Sequence, residues 1–115
     1  MEKVITVKVE VKTGYLESVL ASASRGTDYW AEGAGELAYE SVVHGLLYGG
    51  KSVKITDTED DDKKHTLTLA KIEKGLAIMA KDEPSEFAEI LSEDGDMYTG
   101  DILLQCALLG EVRYS

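Results

Sequence analysis

Residues 45–52 read Gly-Leu-Leu-Tyr-Gly-Gly-Lys-Ser. Gly45, Gly50, Lys51 and Ser52 therefore fall on the pattern G-x-x-x-x-G-K-S, in which backbone amides cradle phosphates and the lysine reaches their charge. That chemistry needs a buried strand entering the glycines and a helix leaving them, so that helix amides face the anion. Here the order is reversed. Residues 36–48, ELAYESVVHGLLY, carry a helical pattern before the glycines, and KSVKIT alternates like a strand after them. No apolar run ending in Asp follows to hold magnesium. The stretch is read as a helix stop feeding a strand, and nucleotide hydrolysis is not expected.

Other residue types that could do chemistry are sparse. Glu93, Asp94, Asp96 and Asp101 form a carboxylate cluster of the kind that holds calcium or magnesium. The calcium-loop spacing fails, because Tyr98 takes the third ligand position, Thr99 replaces the required glycine and Gln105 stands where the closing Glu belongs. An acidic loop between helices is the expectation, with no metal. The chain has two histidines, His44 and His65, and one cysteine, Cys106. Cys106 sits in the apolar run ILLQCALLG, where a thiol behaves as a small buried hydrophobe. No base lies near it in sequence, so nucleophilic catalysis is not expected, and His65 reads as a solvated residue opening a strand. No cofactor is implied. Tyr29-Trp30 beside the Gly-rich stretch 33–35 offers either an aromatic binding surface or a core residue, the core reading of Trp30 being favoured.

The charge is more informative. The chain carries 22 acidic against 12 basic residues, a net charge of −10, which opposes direct binding to nucleic acid or anionic lipid. From Asp82 through Val112 there are nine acids and no Lys or Arg, and a second cluster runs through Asp57, Glu59, Asp60, Asp61 and Asp62. Acid runs are usually solvated faces. A sharper reading is an acidic surface that imitates nucleic-acid phosphates and occupies a basic groove on another protein. No apolar run reaches the ~20 residues needed to span a bilayer, and a lone cysteine suits a reducing compartment.

The elements that must position these groups follow from periodicity. Ile5, Val7, Val9 and Val11 alternate with polar residues and predict a half-buried strand. Leu16, Val19, Leu20 and Ala23 predict a helix with Thr13 as cap and Gly26 as stop. Tyr29-Trp30 reads as a short strand. A helix over 36–48 and a hairpin over 51–70, with the acidic cluster as its turn, come next. Ile72, Leu76 and Met79 give a helical stripe holding Gly75, a residue suited to a close crossing. Pro84 opens a second helix with Phe87, Ile90 and Leu91 on its inner face. Thr99 is the expected cap of a third helix, Asp101 complements its dipole, and Gly110 ends it. Residues 111–114 are read as an edge strand. The sum is a single α+β domain over 1–115, a small, mostly antiparallel sheet covered by helices, with the C-terminal half mainly helical.

Two segments carry a resemblance. TDYWAE after the first helix, and the region from KIEKGLAIMA to the end, resemble a group of small, mostly uncharacterised proteins from bacteriophages and prophages. Those proteins share a Ser-Asn-Tyr-Trp run, a Gly-Leu, Met-Ala, Pro and Phe series, an Asp-Ala-x-Thr-Ala-Asp run before Leu-Gln, and a closing Phe-Gly-Glu-Val-x-Tyr. Here Tyr29, Trp30, Gly75, Leu76, Met79, Ala80, Pro84, Phe87, Asp96, Thr99, Asp101, Leu104, Gln105, Gly110, Glu111, Val112 and Tyr114 match, while Asp28, Gly100 and Leu109 depart. The resemblance covers about half the chain and brings no catalytic residue with it. It implies a phage accessory protein in the host cytoplasm.

Together these features predict a non-enzymatic binding protein acting on a host defence protein with a basic surface, through Glu86, Glu89, Glu93, Asp94 and Asp96. Glu86, Glu89 and Glu93 are expected to project outward together. Two alternatives stand beside it. One is a small-ligand binder that sequesters a nucleotide signal with Tyr29, Trp30, Arg25, Arg113 and Lys51. The other is a virion or replication accessory protein. A homo-oligomer is compatible with all three.

Overall fold

In the computed structural model, which describes residues 2–115, five helices pack against a three-stranded antiparallel sheet, an α+β fold as the periodicities predict. Helix α1 spans Thr13–Gly26 and strand β1 spans Ala31–Glu32. A 3-10 turn at Ala34–Ala38 leads into α2 (Glu40–Tyr48). Strands β2 (Val53–Asp57) and β3 (Lys63–Leu67) form a hairpin, and α3 (Leu69–Asp82), α4 (Pro84–Leu91) and α5 (Met97–Leu109) complete the chain. No helix among the described residues is long and apolar enough to cross a membrane.

Helix α5 is the centre of the packing. Every residue from Thr99 to Leu108 is buried, so this helix has no solvated face, as a central core helix must not. Helix α1 crosses one side of it and α3 another. Both crossings depend on glycine. A Cβ on Gly75 would lie 2.8 Å from the Ala107 Cα, and one on Gly100 would lie 2.7 Å from the Val19 carbonyl oxygen of α1. The close-crossing expectation for Gly75 therefore holds. Gly100 likewise marks a close approach of α1 to α5. Leu16, Val19, Leu20 and Ala23 on α1 and Ile72, Leu76 and Met79 on α3 fill the space around α5.

The hairpin falls where period two places it. Val53 pairs opposite Leu67 and Asp57 opposite Lys63, with Val53, Ile55 and Asp57 turned inward. Asp61 and Asp62 adopt the left-handed conformation (φ 48° and 55°) in the connecting turn, which Asp tolerates better than most residues. β1 adds only two residues on the far edge, Ala31 opposite Asp57 and Glu32 opposite Thr56.

Several local expectations are corrected. Residues 2–12 form neither helix nor strand, and Val4, Ile5, Val7 and Val9 stand in solvent at 54–89% exposure. An alternating pattern makes a strand only where a partner supplies backbone hydrogen bonds, and the described residues offer this segment none. The strand beside Tyr29-Trp30 lies one step later, at Ala31–Glu32. The helix predicted over 36–48 is split, because the chain makes a 3-10 turn through Leu37 and restarts after Tyr39. Thr13 is the first helical residue rather than the cap, and Lys12 holds the cap position without a side-chain bond. Residues 111–114 make no strand.

Candidate functional site

The Tyr29-Trp30 run leaves the end of α1 and enters β1, so both side chains meet the flank of α5. Trp30 is fully buried, as the core reading expects, and its indole N–H donates to Asp101 Oδ1 at 2.8 Å. The Tyr29 hydroxyl donates to Asp101 Oδ2 at 2.5 Å. Gln105, one turn further along α5, donates from Nε2 to Asp101 Oδ1 at 2.9 Å and to the Tyr114 carbonyl at 3.1 Å. Its Oε1 accepts the backbone N–H of Arg113 at 2.7 Å and of Tyr114 at 2.9 Å. Tyr114 in turn lays its ring against Trp30, 5.6 Å between centroids, and its hydroxyl donates to the buried Asp57 at 2.8 Å.

The network obeys the rule that buried polar groups find partners. Asp101 is 5% exposed and accepts from three donors, which offsets the cost of burying a carboxylate. Sequence reasoning assigned Asp101 to the helix dipole, and the structure corrects this. Burial first, then the hydrogen bond to Asp101, raises the Tyr29 hydroxyl well above the ordinary tyrosine range, so Tyr29 stays a donor. The hydrogen bond to Asp57, the larger cause, and burial likewise raise Tyr114. Tyr29, Trp30, Asp101, Gln105 and Tyr114 converge on one network that pins the C-terminal segment to α5, β1 and the hairpin. The signal for it was present: Asp101 and Gln105 are polar residues one helical turn apart inside an otherwise apolar helix.

Above this network lies a solvent-facing edge. Asp96 is the N-cap of α5. Its side chain accepts from the Thr99 amide at 3.1 Å while the Thr99 hydroxyl accepts from the Asp96 amide at 3.2 Å, a capping box. Thr99 is thus the third helical residue, not the cap. The Thr99 amide bond, foremost, holds the Asp96 carboxyl below its usual range. Met97 and Tyr98 follow it, 49% and 58% exposed, and the Tyr98 side chain is close enough to Tyr29 to contribute to its upward shift. A Cβ on Gly26 would meet the Met97 carbonyl oxygen, so the end of α1 abuts this corner directly. Glu89, Glu93 and Asp94 are exposed on the approach from α4.

Glu86 does not join them. It is half-buried and its carboxylate accepts the Thr99 hydroxyl at 3.3 Å, with burial the main cause of a raised pKa. The expectation that Glu86, Glu89 and Glu93 project together fails at Glu86. The Glu86 side chain turns from α4 to the first turn of α5, where it meets Thr99.

In the alternative ligand set, Tyr29 and Trp30 meet on Asp101 and the Arg113 amide joins the same network through Gln105, but the side chains of Arg25, Lys51 and Arg113 make no hydrogen bond or ion pair with them or with one another. Arg25 is exposed in the last turn of α1. Lys51 is exposed after α2, its backbone N–H bonded to the Gly45 carbonyl at 2.9 Å. The Arg113 side chain turns to Glu111 at 3.3 Å. Around Lys51 the chain runs α2, then Gly50 at φ 65°, then β2, the reverse of a phosphate loop. Cys106 is buried on α5 and its thiol is pushed up to about 11, mainly by burial. His65 is corrected: it lies within β3, half-buried, its Nε2 without a partner, and desolvation followed by Lys63 and Lys71 lowers its pKa. His44 contacts Glu17 at 2.5 Å and Glu40 at 3.5 Å between α1 and α2. Among the described residues no cluster of His, Cys, Asp and Glu is arranged to hold a metal ion. The chain matches no family model, no curated protein and no solved structure.

Proposed function

We propose that this chain is a non-enzymatic binding protein of phage origin that acts in the host cytoplasm on a host protein with a basic surface. The observation that carries the reading is the α4–α5 corner. There Glu89, Glu93, Asp94 and Asp96 stand in solvent beside exposed Met97 and Tyr98, within a stretch that holds no lysine or arginine from Asp82 to Val112. Carboxylates steer a basic partner and set its register, while aromatic and methionine side chains supply the buried contact area. Tyr29, 41% exposed and anchored from below by Asp101, extends the aromatic part. Glu86 stands outside the surface because it serves Thr99.

The test is capture of host proteins from lysate, followed by affinity measurement with the retained protein across a salt series. Binding should weaken as salt screens the charges beyond a Debye length of about 8 Å at physiological ionic strength. The variant Glu89→Lys/Glu93→Lys/Asp94→Lys should fold normally, since exposed charges contribute little to stability, and should lose the partner. Full affinity in that variant, with unchanged salt dependence, would remove the acidic corner from the mechanism.

A further inference from the structure

We infer that the N-terminal segment, residues 5–12, is half of a symmetric β-ribbon completed by the same segment of a second copy of this chain. In one chain the segment belongs to no helix or strand, and Ile5 and Val7 are 86% and 74% exposed. Its row of Val7, Val9 and Val11 forms one wall of a groove of about 470 Å³ whose other wall is Leu76, Ala77 and Ala80 of α3 and Phe87 of α4, with Glu73 the one charged side chain in its lining. The apolar row therefore already faces an apolar floor without filling the space between. Among backbone bonds outside regular elements, the segment contributes only the Lys12 carbonyl, which accepts from Tyr15 at the start of α1. Its remaining amides and carbonyls have no backbone partner among the described residues, and unpaired groups of this kind are a ready template for another strand.

Charge decides which strand fits. The body of the molecule is acidic, and two bodies repel. The segment itself is different, with Lys3, Lys8 and Lys12 against Glu2 and Glu10. An antiparallel pair of identical strands must keep apolar residues opposite apolar ones, because a one-residue slip puts every side chain on the wrong face. The registers that satisfy this centre on Val7, Lys8, Val9 or Glu10. Centring on Lys8 or Glu10 sets a like charge opposite itself, which is destabilising. Centring on Val7 leaves Glu10 opposite Val4. Centring on Val9 places Lys8 of each chain opposite Glu10 of the other, Val7 opposite Val11 and Val9 opposite Val9. That register makes two cross-strand ion pairs on the solvent face and a continuous valine row over the α3–α4 floor.

The full chain tests it by sedimentation over a range of concentration to high micromolar, with hydrogen exchange in parallel. A dimer should form, with the amides of residues 6–12 gaining protection as concentration rises. Lys8→Glu alone and Glu10→Lys alone each set like charges opposite one another twice and should weaken the dimer roughly tenfold. The double variant Lys8→Glu/Glu10→Lys restores the opposition with its signs exchanged and should return the parent affinity. All three changes are at exposed positions, so folding is preserved. A chain that stays monomeric throughout overturns the inference. So does a dimer insensitive to the single reversals, which would use another surface, and so does a double variant as weak as the singles, which would place a different register or partner on the segment.

Discussion

Asp101→Ala should be the most damaging single truncation of a polar side chain in this protein. The carboxylate accepts from Trp30, Tyr29 and Gln105, and the three donors do not lose equally. Trp30 is fully buried, so its indole N–H is left with no partner, at a cost of about 1–3 kcal/mol. Tyr29 is 41% exposed and can turn to water, but it forfeits a charge-assisted bond worth about 1.5–3 kcal/mol before that recovery. Gln105 keeps the Tyr114 carbonyl and loses least. The sum is about 3–5 kcal/mol, against a total stability of about 5–15 kcal/mol for an ordinary domain. For a chain of this length that lowers Tm by roughly 10–20 °C. Asp101→Asn keeps one acceptor for Trp30 and offers its amide to the Tyr29 oxygen, so it should cost less than half as much. Urea unfolding followed by emission of Trp30, the one tryptophan, reads both the stability and the site itself. If Asp101→Ala stays within about 1 kcal/mol of the parent with unchanged emission, the network is not holding the C-terminal segment and the reasoning fails.

Gly75→Ala and Gly100→Ala should each destabilise by about 1–3 kcal/mol or more, because the new methyl meets the backbone of α5 or α1, and thermal melts will show it. Cys106 should resist alkylation in the folded protein. Since its folded pKa lies above the unfolded one, its contribution is constant below the ordinary thiol value and is lost as pH rises toward about 11, which Cys106→Ala should abolish in alkaline unfolding curves. Asp96, depressed, contributes stability above its ordinary pKa and loses it as pH falls through the folded value; Glu86, raised, contributes below its ordinary pKa and loses it as pH rises through the folded value. Asp96→Asn should therefore cost more near neutrality than in acid, and Glu86→Gln should gain relative to the parent on going from acid to neutral, both read from urea midpoints. Lys51→Ala should change stability by no more than about 0.5 kcal/mol, with no ATP or GTP turnover in either protein; magnesium-dependent turnover lost on that substitution would contradict the reading of residues 45–52.

Where neighbouring residues determine the outcome, the sequence was a sound guide. The hairpin could be read because two alternating runs flank an acidic turn, and β2 and β3 pair within that frame. Pro84 opens α4 and Gly75 makes a close crossing, both for reasons that lie in the residue itself. The failures share another cause. Residues 5–11 carry the same alternation as β2, but pairing depends on a partner that periodicity does not contain. Asp96, not Thr99, caps α5, since either side chain suits the role and the entry angle of the chain selects between them. Glu86 sits at outward spacing from Phe87 and Ile90, yet α4 and α5 meet at an angle that brings it to Thr99. Asp101 looked like a dipole partner because two of its three partners, Trp30 and Tyr29, are 71 and 72 residues away.

The Asp101 network also constrains where a partner can act. Its donors and acceptors are satisfied by one another, and Trp30, Asp101 and Gln105 are sealed from water. A ligand entering there would have to break bonds that hold the C-terminal segment, so the network is poorly suited to capturing a small molecule. Tyr29 is its most exposed member, and it stands at the corner where Met97 and Tyr98 are exposed. Fixing the Tyr29 hydroxyl on Asp101 holds its ring in one orientation before any partner arrives, which lowers the ordering cost of a contact. Trp30, Asp101 and Gln105 then have a structural task that supports a surface, while the acids that would choose the proposed partner lie beside it on the α4–α5 approach. On this arrangement Asp101→Asn and Tyr98→Ala should weaken partner binding by different routes. The first should do so by loosening the Tyr29 ring in a chain that stays folded, and the second by removing a contact with the ring of Tyr29 still fixed.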